Sequence, residues 1–91
     1  MTAADLAEQI KRLDATLRGI EEVLDLPRLR REKDDLEAQA SVPHLWDDPA
    51  KAQKVTSRLS YVQGEISKVE KLRGRVEDVT IMLELAESED D

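Results

Sequence analysis

Ninety-one residues leave room for one small domain with a lean core, and the absence of cysteine excludes disulfides, thiolate metal sites and cysteine nucleophiles. One Trp, one Tyr and no Phe rule against a bulky aromatic core, so Leu, Val, Ile and Ala must supply the packing between helices. The formal net charge of −7 is uneven, with residues 1–24 at −2, 25–48 at −3, 49–83 at +3 and 84–91 at −5, a balance that argues against nucleic-acid binding through bulk electrostatics.

The first predicted helix covers residues 3–24. Leu6, Ile10, Leu13, Leu17, Ile20 and Leu24 recur at steps of four and three, which places them along one helix face. Thr2 is positioned as its N-cap, with Asp5 three residues on to complete a capping box. The N-terminal residues show neither a basic leader nor an apolar signal core, and no apolar run approaches membrane-spanning length. A cytoplasmic protein without membrane contact is the simplest expectation.

Pro27 interrupts the pattern, because it lacks an N–H and disfavours helical geometry at Leu26. Asp25 or Leu26 ends the first helix, and a second helix is predicted over 27–41, with Leu29, Leu36 and Ala40 as its thin apolar face and the Lys33 stem between them. Residues 41–48, SVPHLWDD, form a linker whose Leu45-Trp46 pair is expected to fold back and close one end of the bundle.

Asp48 and Pro49 open the third helix. An aspartate at the N-cap accepts orphan backbone N–H groups, and proline suits the first helical position, where its missing donor costs nothing. This helix is predicted over 49–87, with Ala52, Val55, Leu59, Val62, Ile66, Val69, Leu72, Val76, Val79, Leu83 and Ala86 as its stripe. The spacing includes one extra step of three near Leu72, which would carry the seam around the helix. The expected fold is all-α: an elongated antiparallel helical bundle or coiled-coil-like module with two shorter helices packed on one long helix.

No constellation of an active site is present. A single histidine, His44, cannot build a multi-histidine metal site, and Ser57 and Ser60 have no histidine base in usable context. Asp47 and Asp48 could bind a hard cation, but a helix cap explains Asp48 better. Gly19, Gly64 and Gly74 stand apart and make no phosphate loop. No enzyme activity, cofactor or metal is therefore expected, and Pro27, Trp46, Asp48 and Pro49 are read as structural. Lys68, Lys71, Arg73 and Arg75 form a basic stretch suited to RNA phosphate contact, weighed against the ordinary solvated face of a long helix.

The stretches Leu24-Asp25-Leu26-Pro27, RREKDDLEAQA and above all PHLWDDPAKAQKVTSRLS resemble the amino-terminal domain of bacterial peptide chain release factors of type 2. The likeness continues in pattern through VQGEISKVEKLRGRVEDVTIMLELAE. It implies an amino-terminal helical domain, residues 1–91, of a longer protein. The family's stop-codon reading (UAA and UGA) and peptidyl-tRNA hydrolysis rest on a Ser-Pro-Phe tripeptide and a Gly-Gly-Gln motif in later domains, and neither motif occurs here. The resemblance also implies the ribosome as partner, at the stalk base of the large subunit, together with the termination GTPase, the type 3 release factor. Messenger RNA would be contacted only by the other domains. A freestanding coiled-coil adaptor is the alternative reading.

Overall fold

A computed structural model describes residues 2–89 of the chain. Its order is α1 (Ala3–Leu24), α2 (Leu26–Ala40), a short 3-10 turn at Leu45–Asp47 and α3 (Pro49–Glu89), with no strand among the described residues. The all-helical architecture read from the apolar spacing is thus what the chain adopts. Asp90 and Asp91, the last two residues of the acidic tail, lie outside the described residues. The chain divides into two compact units, Met1–Val23 with Val69–Asp91, and Leu24–Lys68.

The helix ends show why the elements start where they do. The Asp5 N–H donates to the Thr2 hydroxyl at 3.1 Å and the Thr2 N–H donates to the Asp5 carboxylate at 3.2 Å, a reciprocal pair that satisfies two donors. Asp48 accepts the Lys51 N–H at 3.2 Å, and Pro49 is the first residue of α3. Between α1 and α2 stands one residue, Asp25, at φ 51° and ψ 67°, whose carboxylate accepts the Arg28 N–H at 3.4 Å. It is the only non-glycine residue with positive φ among those described, and aspartate is one of the few L-residues that tolerates this region. Asp25→Ala should lose both the cap and the tolerance and destabilise by about 1 kcal/mol or more, whereas Asp25→Gly, which removes the steric penalty, should cost only a few tenths. Equal losses for the two variants in urea unfolding would contradict this account.

In the unit formed by Leu24–Lys68, α2 and the first part of α3 close over Leu26, Leu36, Leu45, Ala52, Val55, Val62 and Ile66. Bonds from Arg58 to Glu32 and from Gln63 to Glu37 fasten the two helices outside that core. Leu26, where the sequence allows a helix to end, is a core residue. Of the loop pair, Leu45 closes the turn at 7% exposure while Trp46 stands 62% exposed, so the closure expected of both falls to Leu45 alone.

In the other unit α1 runs antiparallel to the last part of α3. Ile10 shares a groove with Thr80 and Ile81, whereas Glu21, further along α1, meets Arg73. The half-buried and buried positions of α1 include Ala7, Ile10, Asp14, Leu17 and Glu21, and those of α3 include Val69, Arg73, Val76, Thr80 and Leu83. This corrects the stripe read from sequence: Leu13 and Ile20 on α1, and Leu72 and Val79 on α3, are displaced to the flank and exposed. The extra step of three near Leu72 disappears with it. Along α3 burial keeps the alternation of three and four from Ala52 to Leu83, because Arg73 and Thr80 fill positions that an apolar count skips.

Candidate functional site

A polar seam needs internal partners, and unit Met1–Val23 with Val69–Asp91 supplies them. Asp14 and Glu21 are two turns apart on α1 and both face α3. The Arg73 guanidinium donates through Nη1 to Asp14 and through Nη2 to Glu21, so one planar cation is gripped by two carboxylates. Its side chain is only 26% exposed. Arg18, one turn beyond Asp14, adds a 3.0 Å ion pair to the other Asp14 oxygen. The hydrogen bond from Arg73 is the main cause holding the Asp14 carboxyl below its ordinary range, against the opposing effect of burial. The bonds to Glu21 and then Asp14 raise Arg73. Thr80 is accommodated differently, its hydroxyl donating to the Val76 carbonyl of its own helix at 2.7 Å.

Of the four basic residues in the stretch suited to phosphate contact, Arg73 is committed by its guanidinium to the clamp. Lys68 belongs to the other unit and pairs with Glu65 at 3.3 Å. Lys71 and Arg75 are exposed.

In the unit Leu24–Lys68 the turn between α2 and α3 carries Val42 and Trp46 outward, and a shallow groove beside them is lined by Gln39, His44, Leu45 and Lys51 among others. His44 Nδ1 lies 3.4 Å from Asp47 Oδ2, but both side chains are at least 80% exposed, a surface pair in open water. Pro27 lies in the first turn of α2 behind the Asp25 cap. On the helix face, Arg58 donates to Glu32 at 2.6 Å and stands 5.1 Å from the centre of the Tyr61 ring, so the guanidinium is held between a carboxylate and an aromatic face. Glu32 is drawn below its ordinary range chiefly by that hydrogen bond. Sequence reasoning missed Glu32, Arg58 and the Asp14–Arg73–Glu21 set, because it takes charged residues at helical spacing for solvated faces.

Among the described residues no group of three or more His, Cys, Asp or Glu is placed to hold a metal ion, and no helix is long and apolar enough to cross a membrane. What the molecule offers is surface: an exposed Trp at a capped turn, and aliphatic and charged side chains along paired helices.

Comparison with known proteins bears on what those surfaces serve. Over all 91 residues the chain is 63% identical to peptide chain release factor 2 of Salinispora tropica, covering 24% of that protein. It is 57% identical to the same factor of Acidothermus cellulolyticus and 50% identical to that of Streptomyces avermitilis, in each case over the whole chain and 25% of the relative. The chain thus spans about a quarter of the length of the curated relatives it matches. No family model matches it, and no solved structure does.

Proposed function

We infer that this chain, which matches an amino-terminal segment of bacterial peptide chain release factor 2 over its whole length, is the ribosome-docking helical module of a translation termination factor. The observation that carries the reading is that match, unbroken across all three helices and the turn between α2 and α3. In this reading the remaining domains recognise UAA and UGA and promote peptidyl-tRNA hydrolysis, and the factor works in the cytoplasm. The module performs no chemistry. It restricts how the factor sits on the ribosome, at the stalk base of the large subunit and beside the type 3 GTPase, so that alignment of the distant catalytic loop is set before reaction. Exposed Trp46 suits an aromatic anchor in such a contact, with large apolar area and an N–H for a partner acceptor.

Removing residues 1–91 from the full-length factor should weaken ribosome cosedimentation by about tenfold or more while stop-codon-dependent peptide release survives at saturating factor. Unchanged affinity would remove the docking role. Lys71 and Arg75 are proposed to bind ribosomal phosphates. Lys71→Glu with Arg75→Glu should then flatten the salt dependence of ribosome binding by about one unit of slope for each phosphate released. An unaltered slope would withdraw these two residues and leave the remainder of the reading in place.

A further inference from the structure

The two helices of the unit Met1–Val23 with Val69–Asp91 have unlike sides. Lys11 follows the seam residue Ile10, Glu77 follows the seam residue Val76, and both line the same groove. Residues that precede a seam position on either helix therefore share the opposite side. On α1 these are Leu13 and Ile20, before Asp14 and Glu21, and on α3 they are Leu72 and Val79, before Arg73 and Thr80. Val23 and Met82, each three residues further along, extend the same side by helical spacing and are 86% and 66% exposed. One side of this helix pair thus carries Lys11 and Glu77 beside the exposed Ile81, and the other presents these six apolar side chains to solvent together with Arg75, which precedes the seam residue Val76. Of the large apolar residues that are exposed among those described, most fall in this unit. A contiguous apolar side of this kind marks a place where another element packs.

We propose that this side is covered by an amphipathic helix or sheet face supplied by the remainder of the full-length release factor itself, a proposal that rests on the reading above. Three observations select that occupant. Six of these side chains offer nothing to a base edge or a phosphate and Arg75 alone can meet one, so the side as a whole suits a protein element rather than nucleic acid. The formal charge of residues 24–68 is balanced and the whole −7 belongs to residues 1–23 and 69–91, so two copies of this helix pair repel through their net charge. The relatives extend for about three quarters of their length outside the matched segment, and a covalently joined domain meets the patch at high effective concentration.

The test uses single cysteines at Ile20→Cys and Val79→Cys, with Arg18→Cys on the side of Lys11 and Glu77 as control, in the full-length factor with its other cysteines replaced and in residues 1–91. In the full-length factor, alkylation at positions 20 and 79 should be slower by about tenfold or more than in the 91-residue chain, with position 18 unchanged. The protection should not vary with protein concentration. Equal rates in the two proteins would overturn the proposal. So would protection that grows with concentration, which identifies a second copy, or protection that appears only when ribosomes are added. Peptide release by the same full-length samples separates the two ideas: release without protection refutes the covering alone, and protection without release refutes the termination reading.

Discussion

Replacing Val62 with alanine is expected to lower the stability of the Leu24–Lys68 unit by about 2 kcal/mol, which for a chain of this size corresponds to a fall of about 10 °C in Tm. Val62 is 0% exposed and is the largest fully buried side chain among those described. Alanine removes two buried carbons, worth about 0.8 kcal/mol each in transfer, and the space they leave adds a cavity cost. A core this thin has no second layer to collapse into that space. Tyr61, next in sequence and 55% exposed, provides the contrast: Tyr61→Ala should cost about 0.5 kcal/mol or less, the loss of its interaction with Arg58 included. Circular dichroism during urea unfolding reads both. Equal losses for the two variants would mean that burial along α3 does not set stability.

The contrast also shows what is legible from residues alone. The three helices can be read because proline and capping residues mark their boundaries chemically. Thr2 with Asp5, and Asp48 with Pro49, announce helix starts through groups whose hydrogen bonds the structure then contains. The phase of the seam in residues 1–23 and 69–89 cannot be read the same way. A count of apolar residues assigns Leu13, Ile20, Leu72 and Val79 to the interface, whereas the fold gives the inward positions to Asp14, Glu21, Arg73 and Thr80. Nothing in the spacing of one helix reveals that its carboxylates will meet an arginine 59 and 52 residues away. The left-handed backbone at Asp25 is hidden for a related reason: a single-residue junction needs a residue that both turns and caps, and the Leu-Pro that follows points to a break without specifying its geometry. Trp46 fails as a core residue because only one side chain of the Leu45-Trp46 pair can face inward in so short a turn, and Leu45 takes that place.

Arg73→Met should destabilise the unit built from Met1–Val23 and Val69–Asp91 more than any other single charge removal in the chain. The variant leaves Asp14 and Glu21 half-buried with like charge and without the cation that joins them. Arg58→Met, which frees the more exposed Glu32, should cost less, and Lys68→Met, at a pair whose lysine is 74% exposed, should cost little. The pH dependence identifies the cause. Asp14 has its folded pKa depressed below its ordinary value of 3.8, so its contribution is fully present above that value and is lost as pH falls through the lower folded pKa. The stability gap between the wild type and Arg73→Met should therefore hold constant near neutrality and narrow on acidification below about pH 4, as Asp14 protonates and the arginine loses that charged partner. A gap that stays constant down to about pH 2 would show that Arg73 acts through the packing of its methylene stem. Converting Asp14, Arg73 and Glu21 together to leucine makes the complementary case. A seam without charges should be as stable as the wild type or more so, because the desolvation of three charges is avoided. It should also lose what the clamp supplies: two carboxylates seven residues apart straddle one arginine and admit a single axial register, whereas a leucine seam can slide by a heptad at little cost. Sharp amide spectra in the wild type against doubled or broadened ones in the triple-leucine variant would show that these charges specify how α1 sits on α3, and a single sharp set in both would show that the flanking Ile10, Leu17, Val69 and Leu83 already do.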